Sequence, residues 1–126
     1  MINSYYQSRH FLRLLHRYEK AVSEGHVPYL EADELTDIAE YYMTGKQDAK
    51  ANQAIQAAIN MHPDSVDPQI FLARQKMFYG QLDEARAIVD AITEQQDSEV
   101  VYIRAEILIK EEHAAEASEF LLGQMN

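Results

Sequence analysis

Histidine is the side chain in this sequence best suited to hold a metal ion, because its neutral ring nitrogens bind zinc and other transition metals. The chain contains five: His10, His16, His26, His62 and His113. No two of them are four residues apart, so no helical pair of the HExxH type exists. The absence of cysteine removes thiolate ligands, catalytic thiols and disulfide bonds. We therefore expect surface or helix-capping roles for the histidines, and no metal site.

The 21 Asp and Glu residues could supply acid–base chemistry, but no pair of them stands out from the others. Several fall in the predicted first turns of helices, such as Asp83, Glu84 and Glu99, where a negative charge interacts favourably with the helix dipole. The sequence has no Gly-rich phosphate loop, no GxSxG motif and no EF-hand spacing. These observations predict neither catalysis nor a bound cofactor.

The chain also has eight tyrosines: Tyr5, Tyr6, Tyr18, Tyr29, Tyr41, Tyr42, Tyr79 and Tyr102. Their rings could stack on the bases of a nucleic acid or pack between helices. Because 11 Lys and Arg stand against 21 Asp and Glu, the net charge is −10 and opposes a phosphate backbone. We therefore expect packing roles for the tyrosines and no nucleic acid partner.

The basic residues cluster near the N-terminus. Within residues 1–26, Arg9, Arg13, Arg17 and Lys20 stand against Glu19 and Glu24, which leaves +2 there and −12 over the remaining 100 residues. This stripe could contact an anionic membrane or form a solvated outer face, and we favour the second interpretation. The arginines also interrupt the apolar cluster 11–15, so no signal-peptide core is present, and no apolar run could span a bilayer. We expect a cytoplasmic protein without membrane contact.

Small residues recur along the chain at a nearly fixed period. Ala39 and Ala51 are twelve residues apart, and the pair recurs 34 residues later as Ala73 and Ala85, then 32 residues later as Ala105 and Ala117. Small side chains at such positions allow two helices to approach closely. The sequence therefore predicts three related units.

Each unit is predicted to be a pair of helices. In the first, one stripe comprises Leu35, Ile38, Ala39 and Tyr42, and the second comprises Ala51, Ala54, Ile55, Ala58 and Ile59. Gly45 should end the first helix in a left-handed conformation, and Pro63 should end the second.

The second unit is expected to begin with Asp67 as N-cap and Pro68 at the first helical position. Its first helix should stop at Gly80, and its second helix should run from Asp83 to about Thr93. The third should run from Ser98 through Leu108 and then from about Ala114 to Met125. No strand is predicted.

This pattern resembles the tetratricopeptide repeat, a helix–turn–helix unit of about 34 residues. The first unit matches every signature position, with Leu35 in place of the commoner Trp and Ile55 in place of Phe; the positions are Leu35, Ile38, Ala39, Tyr42, Ala51, Ile55, Ala58 and Pro63. The second keeps Leu72, Ala73, Gly80 and Ala85, but has Gln69, Lys76 and Asp97 where Trp, Tyr and Pro are usual. The third keeps Ala105 and Ala117, with Leu108 for Tyr and Arg104 for Leu. The resemblance implies an all-α, right-handed solenoid with three repeats at about 31–64, 65–97 and 98–126.

Residues 1–26 precede the repeats and are predicted to form an amphipathic capping helix. Phe11, Leu14, Leu15, Tyr18 and Val22 lie on one face of it, and Gly25 is the expected stop. Terminal units of solenoids cover one side of the neighbouring repeat and present a polar side to water.

The resemblance also implies a concave groove, lined by the first helix of each pair, that binds protein partners. Counting one position round from the packed stripes gives the expected lining: Thr36, Glu40, Met43, Ile70, Arg74, Met77, Tyr102, Glu106 and Ile109. Met43 and Met77 could either adapt to a partner or fill gaps in the core. Only Arg74 is basic, which argues against a clamp for acidic C-terminal tails.

The expected function is therefore non-catalytic protein–protein interaction, with a peptide or partner helix that carries apolar anchors and a basic residue. The alternative is a structural homo-oligomerisation module that associates through the uncapped C-terminal helix pair, because Phe120, Leu121, Leu122 and Met125 form an apolar cluster there. These residues could also belong to a longer repeat array.

Overall fold

A computed structural model describes the backbone of residues 4–125 and the side chains of residues 4–123. A 3₁₀ turn at Ser4–Gln7 precedes six α-helices in this part of the chain: α1 (Arg9–Ser23), α2 (Ala32–Thr44), α3 (Asp48–Met61), α4 (Val66–Phe78), α5 (Leu82–Asp90) and α6 (Ser98–Met125). No strand occurs among these residues, so the all-helical prediction is confirmed. Residues 1–3 of the predicted capping helix and the side chain of Met125 lie outside the described part.

The chain divides into two compact units, the first extending to Pro68 and the second beginning at Gln69. Helices α2 and α3 fall within the predicted repeat 31–64, and α4 and α5 fall within 65–97. The repeat boundaries and the solenoid arrangement stay predictions.

The N-terminal helix is shorter than the predicted segment 1–26. Ser8 caps α1, because its hydroxyl accepts a hydrogen bond from the Phe11 amide at 3.2 Å, and the preceding residues form the 3₁₀ turn. Gly25 has a φ of +92°, the left-handed conformation expected of a stop. The predicted apolar stripe is buried from Phe11 to Tyr18, and Ala21 rather than Val22 completes it.

Helices α2 and α3 pack against each other as a hairpin. The predicted stripes on both helices are buried, with Leu35, Ala39, Ala51 and Ile55 among the fully buried residues, except that Ile59 at the end of the second stripe is half-buried. Glu31 begins α2 with a capping box, in which its amide donates to the Glu34 carboxylate at 2.9 Å.

The connection between α2 and α3 differs from the prediction that Gly45 is left-handed. Gly45 has a φ of −84°, and Lys46 takes the left-handed conformation with a φ of +60°. The reason is the hydrogen bond from the Gln47 amide to the Tyr42 carbonyl, 2.8 Å, which places the left-handed residue at position 46.

In the second unit, α4 buries Ile70, Ala73 and Met77, and the predicted stop Gly80 has a φ of +78°. Helix α4 begins at Val66, so Asp67 and Pro68 lie in its first turn rather than at the cap and first position. Helix α5 ends at Asp90, earlier than the predicted Thr93.

The third unit was predicted to be a helix pair, and this expectation is wrong: α6 is one uninterrupted helix of 28 residues. Residues 109–114 contain no Gly or Pro, and their Lys, Glu and Ala favour helix, so nothing ends the first half. Helix α6 packs against α5 through a stripe that includes Val100, Ile103 and Ile107. Ala105 and Ala117, predicted at close helix contacts, are exposed.

Candidate functional site

The nine residues predicted to line a groove differ widely in their exposure. Thr36, Ile70 and Met77 are buried, Met43 and Glu106 are partly buried, and Glu40, Arg74, Tyr102 and Ile109 are exposed. Thr36, Glu40 and Met43 belong to the first unit, and the other six belong to the second.

The three buried residues correct the predicted site. The Thr36 hydroxyl donates to the Ala32 carbonyl at 2.7 Å and is satisfied within its own helix. Ile70 and Met77 are core residues. The buried face of α4 is shifted by about one residue from the face that the repeat signature predicts. The signature positions of α4 carry polar Gln69 and Lys76, so the helix buries the apolar neighbours instead. Met77 therefore fills the core.

An ion pair joins α4 to α6 in the second unit. The Arg74 guanidinium donates to both carboxylate oxygens of Glu106, at 2.9 and 3.2 Å. Both side chains are nearly half exposed, so solvent screens the pair and it contributes at most about 1 kcal/mol to stability. The pair links the two helices and leaves its own position electrically neutral.

Apolar side chains flank this ion pair on α6. Tyr102, Glu106 and Ile109 follow each other at spacings of four and three residues, which places them on one helix face. Tyr102 is 64% exposed and Ile109 is 53% exposed. Large apolar side chains that remain in solvent beside a charged pair are typical of surfaces that contact another molecule.

Phe78 was missed by the sequence analysis and adds an aromatic ring to this surface. It lies four residues after Arg74 on the same face of α4, and it is 80% exposed. The predicted lining of α4 ended at Met77. Adding the residue one helical turn after Arg74 would have included Phe78. We call the surface formed by Arg74, Phe78, Tyr102, Glu106 and Ile109 the α4–α6 face.

In the first unit, the 3₁₀ turn lies against the part of α2 that carries Glu40. The Tyr6 and Tyr41 rings contact edge to face with centroids 5.6 Å apart. Burial, followed by the negative charge of Glu40, raises the pKa of Tyr6 to about 12. The N-terminal tyrosines thus pack on α2, the role expected from the sequence, although Glu40 itself stays exposed.

His62 illustrates the structural role of a histidine in this chain. Its Nε2 lies 2.7 Å from the Leu30 carbonyl oxygen, which can only accept, so Nε2 carries the proton and donates. The Tyr29 ring packs edge-on against the imidazole, with the ring centroids 5.4 Å apart.

Among the described residues, no three His, Asp or Glu side chains converge in the way a metal ion requires. Within the same residues, no helix combines the length and apolarity needed to cross a membrane.

A family model described as tetratricopeptide repeat matches residues 46–107, from the end of the α2–α3 connection to the middle of α6. No curated protein and no solved structure shows a significant match to the sequence. The matched residues include Arg74, Phe78, Tyr102 and Glu106, so most of the α4–α6 face lies within the repeat region.

Proposed function

From the membership of residues 46–107 in the tetratricopeptide repeat family, we propose that this chain is a non-catalytic module that binds a peptide or partner helix on the α4–α6 face. Repeats of this family generally mediate protein–protein interaction. The observation that carries the proposal is the exposure of three large apolar side chains: Phe78, one helical turn after Arg74, and Tyr102 and Ile109, one turn to either side of Glu106. Aromatic residues and Arg contribute a large share of binding energy at protein interfaces.

The partner is proposed to be amphipathic and basic. Apolar anchors suit the exposed rings and Ile109, and the net charge of −10 attracts a positive segment over several ångströms. Glu40 and Met43, the other predicted contacts that are not buried, belong to the first unit and are proposed as partner contacts of that unit by itself. An acidic partner is disfavoured, since Arg74 already binds Glu106.

Fluorescence anisotropy with two labelled peptides tests the proposal. We expect a basic amphipathic peptide to bind more tightly than an acidic C-terminal peptide. Tyr102→Ala should weaken that binding by about tenfold, which corresponds to roughly 1.4 kcal/mol for an interface tyrosine. The matched control is Tyr29→Ala, because Tyr29 is equally exposed but lies in the first unit. Preference for the acidic peptide, or full affinity in Tyr102→Ala, would contradict the proposal.

A second candidate function, self-association through α6, is favoured by an exposed apolar stripe on that helix. Val101, Ala105 and Leu108 have the same spacing as Leu35, Ala39 and Tyr42 of α2. The α2 stripe is buried in the hairpin with α3, whereas all three α6 residues are exposed. Ala115 and Leu122 continue the exposed stripe at seven-residue intervals from Leu108. A seven-residue apolar repeat on one helix is the pattern that pairs helices side by side.

Light scattering over a concentration series distinguishes this candidate. If α6 pairs with a second copy, the mean mass should rise with concentration, and Leu108→Glu with Leu122→Glu should keep the chain monomeric. Leu12→Glu in α1, a leucine that is also about half exposed, is the matched control. A monomer of the unmodified chain at high concentration excludes self-association and leaves the partner-binding proposal unaffected.

A further inference from the structure

A pocket of about 270 Å³ lies among α1, α2 and α3 in the first unit. Its lining includes Tyr18, Glu19, Val22, Tyr42, Lys50 and Gln53. None of these residues belongs to the α4–α6 face, and the helices involved precede it in the chain. The pocket is therefore a separate feature that needs its own explanation.

The inner wall of the pocket holds a buried hydroxyl group without a partner. Tyr18 is 2% exposed, and its hydroxyl has no hydrogen-bond partner in the described part of the chain. A buried polar group left unsatisfied costs about 1–3 kcal/mol. Tyr18 is one of the residues that line the pocket. Its hydroxyl oxygen is itself closed off from solvent, so a molecule bound there contacts the ring and not the hydroxyl.

The negative charge of the pocket is the carboxylate of Glu19. The Tyr42 hydroxyl donates to one of its oxygens at 2.6 Å, and this hydrogen bond joins α2 to α1. Burial, and then the short bond to the carboxylate, raise the pKa of Tyr42, so the phenol keeps its proton as the donor. A carboxylate can accept several hydrogen bonds, so Glu19 retains capacity for a further donor.

Lys50 brings a positive charge to the same pocket from α3. Its ammonium lies 5.6 Å from the centroid of the Tyr42 ring, over the ring face. A ligand with only a negative charge would be repelled by Glu19, and one with only a positive charge would be repelled by Lys50. The charge pattern is complementary to a molecule that carries both signs.

We propose that this pocket binds a small zwitterion with an apolar body, of the α-amino-acid class. The ligand ammonium contacts Glu19, its carboxylate contacts Lys50, and its apolar side chain packs on Val22 and the tyrosine rings. The volume is near the lower limit of ligand pockets, about 300 Å³, which suits one amino acid and excludes larger cofactors.

Isothermal titration calorimetry with three related probes tests the charge requirement. L-leucine carries both charges, 3-methylbutylamine lacks the carboxylate, and 4-methylpentanoate lacks the amine. We expect L-leucine to bind at least about tenfold more tightly than either of the others, as the loss of one charged contact implies. Absence of L-leucine binding at millimolar concentration, or equal binding of the amine, overturns the proposal.

Substitutions in the pocket test its location. Glu19→Gln and Lys50→Gln should each reduce L-leucine affinity by about tenfold, whereas Glu24→Gln, which changes an exposed residue outside the lining, should not. Tyr18→Phe should change neither the L-leucine affinity nor the free energy of unfolding, because the hydroxyl is closed off from solvent and has no partner among the described residues. Unchanged affinity in both Glu19→Gln and Lys50→Gln, or L-leucine-dependent amide shifts confined to residues outside the pocket, would show that the assignment is wrong.

Discussion

Alanine has two different environments in this chain. Ala39, Ala51, Ala73 and Ala85 are fully buried, and the hairpin of α2 and α3 brings the first two into one core. Ala105 and Ala117, which continue the same spacing, are exposed because α6 does not fold back on itself. The side chain is the same at all six positions, so the environment alone decides what a larger side chain would do there.

This contrast predicts opposite tolerances to one substitution. Ala39→Leu should lower the free energy of unfolding by about 1–3 kcal/mol, because extra methyl groups must be forced into a filled core. Ala105→Leu is the matched control at an exposed site and should change the free energy by less than about 0.5 kcal/mol. Urea unfolding followed by circular dichroism measures both values. Equal destabilisation of the two variants would mean that Ala105 has a close neighbour in solution.

Asp37 gives the stability of the first unit a dependence on pH. Burial, followed by the charges of Asp33, Asp67 and Glu34, raises its pKa, although the hydrogen bond from Tyr5 acts in the opposite direction. The folded state thus binds a proton at Asp37 more readily than the unfolded state does. This group therefore reduces stability as the pH rises through its folded pKa, and the loss is complete above it.

Asp37→Asn should accordingly raise the free energy of unfolding at pH 7, because Asn can still accept from Tyr5 but carries no charge. The gain should be small and should disappear near pH 3, about one unit below the ordinary pKa of the carboxyl group, where Asp37 is protonated in both states. Urea unfolding of both proteins at the two pH values measures the difference. A variant that is destabilised at pH 7 would show that the carboxylate charge itself is needed.

At the scale of elements, the α2–α3 and α4–α5 turns are closed by the same type of backbone hydrogen bond but contain different residues. The Gln47 amide donates to the Tyr42 carbonyl and the Gln81 amide donates to the Lys76 carbonyl, each at 2.8 Å. The left-handed residue before each donor is Lys46 in one turn and Gly80 in the other. Only glycine takes this conformation without a steric cost from its side chain.

Exchanging the two residue types should change stability in opposite directions. Gly80→Ala should lower the free energy of unfolding by about 1 kcal/mol, although no atom lies near enough to clash with the added methyl group. Lys46→Gly should raise it by a similar or smaller amount, since the strained φ is relieved. Thermal and urea unfolding of both variants measure the effect. Destabilisation of both would indicate that the Lys46 side chain contributes more than its backbone costs.

The sequence predicted those elements in which apolar spacing and stop signals agree. In α2 and α3 the signature positions are apolar, so stripe, register and burial followed from the sequence. In α4, polar Gln69 and Lys76 occupy signature positions, so the helix rotates and the predicted lining residues Ile70 and Met77 enter the core. In α6, the alanine period suggested a turn that no Gly or Pro supports. Local composition therefore overrides a repeat pattern where the two disagree.

At the scale of the whole molecule, charge is distributed unevenly. Residues 1–26 carry +2 and the remaining 100 carry −12, which together give the net charge of −10. In the second unit, Lys76 binds Glu84 at 3.1 Å, and Arg104 binds Asp90 at 2.8 Å. These pairs are partly exposed and each contributes about 1 kcal/mol or less. An excess of ten negative charges remains whichever pairs form, so repulsion is the larger long-range effect.

Salt should therefore stabilise this chain. The screening length falls from about 30 Å at 0.01 M to below about 10 Å at 0.3 M, which suppresses repulsion between distant carboxylates more than attraction within contacting pairs. We expect the free energy of unfolding to rise by an amount on the order of 1 kcal/mol between 0.01 and 0.3 M NaCl. Glu116→Gln with Glu119→Gln removes two exposed charges from α6 and should reduce this increase, whereas Lys110→Gln should enlarge it. Urea unfolding at both salt concentrations measures each value. A decrease of stability with NaCl would mean that the ion pairs outweigh the net repulsion, because screening weakens attraction and repulsion alike and only their balance sets the sign.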